Sequence, residues 1–164
     1  MLLKRVVGAL IISLTLVVLS FPRAVLADDD VYKVVYHADF ADPARFSAML
    51  QNVFNMTTTY ENEMMDYDIR IVFLSKGIRF ITRNNLKGTP FEADKAFLKQ
   101  REDFFARLKS LREIRGVKFE LCKITKDAVR LGDKELIPGV TMVVSGVVQI
   151  AKLQREGFSY LKVE

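Results

Sequence analysis

The chain has one cysteine, one histidine and no tryptophan in 164 residues, with only four prolines and eight glycines. A single cysteine excludes an internal disulfide framework. One cysteine with one histidine falls short of the four ligands that a structural zinc site takes. Scarce proline and glycine argue against collagen-like or linker composition, and 50% hydrophobic residues with 27% charged exclude a disordered tail. No phosphate-binding Walker loop, G-x-G-x-x-G, H-E-x-x-H or G-x-S-x-G is present, so no cofactor and no metal is implied.

What is there begins with an address. Lys4 and Arg5 precede an apolar run from Val6 to Phe21, followed by Pro22, the small-residue pattern Val25-Leu26-Ala27 and an acidic triplet, Asp28-Asp29-Asp30. This pattern predicts a signal peptide over residues 1–27, cleaved before Asp28, and a periplasmic or secreted domain over 28–164. An uncleaved anchor helix is the competing reading; once cleaved, the chain has no membrane segment. The formal charge of +5 then changes meaning. The leader holds three bases (Lys4, Arg5, Arg23) and no acid, leaving 22 bases against 20 acids, or +2, in the 137 residues that remain. A nearly neutral domain lacks the electrostatic drive for phosphate backbones, so nucleic acid is not an expected partner.

Beyond the leader, strand and helix patterns alternate about five times. Strands are predicted at Val31–Tyr36, Asp68–Leu74, Val117–Leu121, Val140–Val144 and Phe158–Val163. Asp42-Pro43 caps a first helix whose apolar face is Phe46, Met49, Leu50, Val53 and Phe54; residues Thr57 to Asp68 read as polar and loosely patterned. Thr89-Pro90-Phe91-Glu92 reads as the capping box of a long helix with Phe97, Leu98, Phe104, Phe105, Leu108 and Leu111 on one stripe. A short helix follows Lys123, and Ser145 caps a helix that Gly157 closes. The alternation predicts an α/β fold, a three-layer α/β/α sandwich with a mainly parallel sheet of about five strands.

Parallel sheets bind ligands at the carboxyl ends of their strands. His37, Ser75-Lys76-Gly77, Cys122 and Ser145-Gly146 each follow a predicted strand, so a parallel sheet carries all of them to one edge. Cys122 has intrinsic covalent chemistry: between a strand end and a helix start it meets unpaired N–H groups that favour a thiolate, with Lys76 and Lys123 as added positive charge if they point inward. Such a thiolate can hold a transferable persulfide; the opposing reading is a buried packing cysteine. His37 reads either as a proton shuttle near that thiol or as a residue hydrogen-bonding its own loop. Asn52 and Asn55 lie on the first helix, either bonding to loops above the sheet or solvated.

The segments KVVYH, QNVFN, GVKFELCKIT and above all SGVVQIAKLQREGFSYL resemble the DsrE/DsrF-like family, in its small single-domain branch, from Val31 to Val163. The resemblance implies a homo-oligomer, often a trimer or hexamer, and a link to sulfur trafficking in which some members carry a cysteine persulfide. It implies Cys122 as the sulfur-bearing residue, with His37, Asn52, Asn55, Ser145 and Gly146 lining or supporting its pocket. The leading expectation is an exported persulfide carrier that passes sulfur to a partner thiol. The alternatives are an oligomeric module that binds a small anion through the Gly77 and Gly146 amides, with Cys122 structural, and a structural oligomer tethered by the leader.

Overall fold

The computed structural model describes residues 31–164; the reading of residues 1–27 as a leader lies outside them. Five strands form one sheet: β1 Tyr32–Ala38, β2 Tyr67–Phe73, β3 Lys118–Cys122, β4 Val140–Val143 and β5 Ser159–Leu161. The order is β4-β3-β2-β1-β5, and every neighbouring pair is parallel. The fold is therefore the α/β class that the alternating pattern predicts. The chain steps outward from β1 to β4, then returns across the sheet to lay β5 on the other side of β1.

Two helices, α1 (Pro43–Asn62) and α2 (Lys95–Glu113), pack on one face over a core that includes Phe46, Phe73, Phe80, Phe97, Phe104 and Phe119. The aromatic rings interlock: Phe46 stacks on Phe80 at 3.8 Å and meets Phe104 edge-on at 5.1 Å. The opposite face is covered more thinly. There α4 (Gly146–Arg155) buries Ile150 and Leu153 against Val35, Val72 and Phe158. The short α3 (Lys123–Ala128) follows β3 without a break.

Strand alternation allocates β3 between the two faces. Phe119 and Leu121 enter the aromatic core, which leaves Glu120 and Cys122 on the face that α4 covers. Glu120 is held by Arg70 Nη1 at 3.0 Å, and Arg70 is shared with Asp68 at 2.8 Å.

Two helix boundaries differ from the sequence reading, for local reasons. The first helix runs on to Asn62 through the polar segment. Thr57 turns into the core, and the hydroxyls of Thr57, Thr58 and Thr59 donate to carbonyls one turn back, so none competes with the helix. Tyr60 adds a stack on Tyr32. The Thr89–Glu92 capping box forms a turn instead, in which Thr89 Oγ1 accepts from Phe91 N and Glu92 accepts from Gly88 N. Helix α2 starts at Lys95 behind Asp94, whose carboxylate accepts from Phe97 N at 2.8 Å. The cause is Arg79, a buried cation that takes the Glu92 carbonyl and the Asp94 carboxylate. No helix among the described residues is long and apolar enough to cross a membrane.

Candidate functional site

Because every strand runs the same way, His37, Ser75–Gly77, Cys122 and Ser145–Gly146 do share the carboxyl-end edge of the sheet. They do not form one cluster. Cys122 ends β3, serves as the residue before α3, and pairs in register with Val143 of β4. The chain after β4 brings the first residue of α4, Gly146, directly against it. A side chain on Gly146 would place its Cβ 3.1 Å from Cys122 Cβ and 3.2 Å from Leu74 Cβ, tight enough that the neighbours would have to shift by a few tenths of an ångström.

The thiol is 5% exposed. Burial pushes its pKa up, but the Gly146, Thr125 and Ile124 amides and the Thr125 hydroxyl outweigh burial and bring it below the ordinary thiol value. The donors come from two helix starts, α3 and α4, where N–H groups have no partner inside the helix. Thr125 is fixed for this task. Its Oγ1 accepts from Ser75 N at 3.0 Å, which leaves its own proton free to be donated. Ser75 itself sits at φ 49°, a left-handed conformation that costs a non-glycine residue about 1 kcal/mol or more. The end of β2 is therefore strained where it supports the thiol.

Sequence reasoning missed Thr125. The signal was present in the spacing Cys122-Lys-Ile-Thr125, a hydroxyl three residues into a helix that begins just after the cysteine. The lysines expected to charge the site do not do so. Lys123 Nζ pairs with Asp127 at the surface, at 2.5 Å, and Lys76 is exposed. Lysine ammonium groups gain more from water than from a buried thiol, so the cradle is built from backbone dipoles instead. Gly77 does not offer a free amide for an anion either: its N–H donates to Leu74 O at 3.0 Å, and the residue is buried. That removes half of the anion-binding arrangement. Ser145 precedes α4, and its carbonyl accepts from Gln149 N at 2.9 Å while its hydroxyl makes no capping bond.

His37 lies on the same sheet face as Cys122, but β2 stands between them and His37 is level with Glu120, so the two are about 12 Å apart by strand spacing and rise. It bonds instead to β5: Nδ1 is 2.9 Å from the Tyr160 hydroxyl, and Nε2 is 3.7 Å from Asp39 Oδ2. Burial lowers its pKa below 6.5, with Asp39 opposing and Lys162 and Arg45 assisting. Neutral His37 therefore favours the fold. As pH falls below about 6.5 the unfolded chain gains a proton before the folded one does, and stability is lost. A thermal-unfolding series is expected to show this acid-side decline in the parent protein and a shallower one in His37→Gln. Equal slopes would remove His37 from the balance.

Asn52 and Asn55 are exposed on α1, in the layer on the far side of the sheet from Cys122. The stripe Phe46, Met49, Leu50, Val53 and Thr57 points inward, so positions 52 and 55 turn outward, and Asn55 accepts from Gln51. They are not part of the cysteine pocket.

Among solved structures the chain is similar to a protein of unknown function, MTH1491, from Methanobacterium thermoautotrophicum. Identity is 27% and the TM-score 0.57, over 80% of this chain and 98% of that one. It shares its fold with the ychN protein from E. coli at 20% identity and a TM-score of 0.50, over 80% and 99% of the two chains. No curated protein matches it significantly. The model of the DsrE/DsrF-like family matches residues 33–163, which takes in every strand and helix from β1 to β5. With a cysteine set among amide donors where the third parallel strand meets a helix, the chain belongs to the DsrE/DsrF-like family, a family associated with sulfur relay.

Proposed function

We propose that the protein is an exported carrier of sulfane sulfur, periplasmic or secreted after cleavage at Ala27, that holds its cargo as a persulfide on Cys122. One observation supports this reading: the only cysteine of the chain ends β3 where α3 begins and the first residue of α4 packs against it, and the amides and hydroxyl of those helix starts bring its pKa below the ordinary thiol value. The thiolate is both the nucleophile that accepts sulfur and the leaving group that releases it. In loading, Cys122 Sγ attacks the outer sulfur of a donor such as thiosulfate. The donor's S–S bond breaks, its electron pair leaves with sulfite, and a Cys122 persulfide remains. In unloading, an acceptor thiolate attacks the outer sulfur of that persulfide, and the electron pair returns to Cys122. Neither step needs an external oxidant. With one thiol and no resolving partner, the chain suits relay rather than disulfide cycling. The carrier works as a homo-oligomer, a trimer or hexamer, in this reading.

The test is to treat the protein with thiosulfate or with glutathione persulfide and to measure its intact mass. A gain of one sulfur atom that cyanide removes as thiocyanate, absent in Cys122→Ser, is the expected result; an unmodified cysteine with both donors overturns the reading. The cradle has its own signature. The rate of alkylation by iodoacetamide is expected to rise with an inflection below the ordinary thiol value of about 8.5. Thr125→Val should move that inflection up by about one pH unit, the worth of one hydrogen bond to a charged group.

A further inference from the structure

Helix α4 is apolar on two sides. Its inner stripe, Ile150 and Leu153, is buried against the sheet. Its outer stripe is not covered by any described residue: Val144 is 81% exposed, Val147 61% and Val148 64%, with Ala151 continuing the line. The spacing i, i+1, i+4 places Val147, Val148 and Ala151 on one side of the helix, and Val144 lies in the segment just before it. Ile124, two residues after Cys122 at the start of α3, is a further exposed aliphatic side chain, at 62%. At one end the strip runs into a shallow groove of about 470 Å³ lined by Val148, Ala151, Lys152, Arg155 and Glu156. Lys152 is paired with Glu156 at 3.7 Å, while Arg155 has no carboxylate partner among the described residues.

We infer that this strip is the docking surface for the protein that exchanges sulfur with Cys122, an identification that rests on the carrier reading above. The partner segment it fits is extended, apolar beside its cysteine, and acidic about five residues away. The spacing follows from α4, whose ten residues span about 15 Å, the length of roughly five residues of extended chain. An acidic side chain at that distance pairs with Arg155. Two features favour such a transient partner over a two-fold pairing of this face with the same face of a second copy. Four exposed aliphatic side chains offer on the order of 400 Å², enough to mark an interaction site but about half of what each side of a stable interface contributes. The rim is also net positive, with Lys76, Lys123, Lys152 and Arg155 against Asp127 and Glu156, so self-pairing sets like charge against like.

The test separates docking from sulfur chemistry by using Cys122→Ser protein and peptides with serine for cysteine. The probe is acetyl-Ser-Ala-Leu-Leu-Glu-Glu-amide; the controls replace both leucines by serine or both glutamates by lysine. Two-dimensional NMR is expected to show shifts at Ile124, Val147, Val148 and Ala151, with at least tenfold tighter binding of the probe than of either control. Val147→Asp with Val148→Asp, and separately Arg155→Glu, should each abolish that preference. All three positions are exposed, so neither variant threatens the fold. Equal binding of all three peptides, or shifts confined to another face, overturns the assignment. So does a fall in the solution mass of the protein on Val147→Asp, which would give the strip to contacts between copies. A failure to load sulfur on Cys122 is read in the separate mass experiment and leaves the peptide result interpretable.

Discussion

Gly77→Ala is expected to destabilise the fold by about 3 kcal/mol or more, the cost of forcing an atom into a packed region that cannot yield. A Cβ at this position would lie 1.9 Å from the carbonyl oxygen of Ala38 and 2.7 Å from its carbon. Both atoms are backbone, and no side chain can swing aside. The same Ala38 oxygen accepts the hydrogen bond of Leu74 N at 3.0 Å, the last link between the ends of β1 and β2. Relief means moving either the strand end or the turn of Ser75–Ile81, and the strained Ser75 that supports Thr125 lies within that turn. Thermal unfolding should show a midpoint lower by roughly 10 °C. The Cys122 alkylation inflection should rise as its Thr125 donor is displaced. A variant within a degree of the parent would refute the close approach.

Asp94→Ala should cost about 2–3 kcal/mol, below the usual range for a broken buried pair because the carboxylate itself is half exposed. Two contributions combine. The helix loses the cap that holds Phe97 N, and Arg79, with a side chain only 6% exposed, loses the carboxylate 2.8 Å from its Nη1. Asp94→Asn keeps the cap and loses the charge, so it should recover about 1 kcal/mol of the deficit. The pH dependence reads the charge-dependent part of both. The Phe97 amide, and then Arg79, hold the Asp94 carboxyl below its ordinary value against a smaller opposing effect of burial. Its contribution is therefore present above that ordinary value and lost as pH falls through the lowered one. Chemical denaturation at neutral pH and near pH 3 should show the gap between parent and Asp94→Asn shrinking on the acid side. A gap that stays constant would mean that the ion pair contributes nothing.

Much of the architecture was legible because it rests on local periodicity. The helix face of Phe46, Met49, Leu50 and Val53, the Asp42-Pro43 cap and the apolar strand runs all recur in the structure. The helix start at Lys95 was not legible. It depends on Arg79 reaching across 15 residues to claim both Glu92 and Asp94, and nothing in the local Thr-Pro-Phe-Glu pattern reports a distant cation. The same holds for the site. Which residues lie near the edge followed from strand ends, but the grouping of Cys122 with Gly146, and of His37 with Tyr160, depends on strand order.

The sequence by itself determined the α/β alternation, the edge on which the candidate residues gather, and the cysteine as the one group with covalent chemistry. Side-chain periods of two and 3.6 are properties of neighbouring residues and need no long-range information. Tertiary structure alone decided the rest: that β2 separates the histidine from the thiol, that the asparagines face away, and that amide dipoles rather than lysines favour the thiolate. Those outcomes depend on which strands lie side by side and which helix ends are left unpaired against them, and no local stretch of chain encodes either.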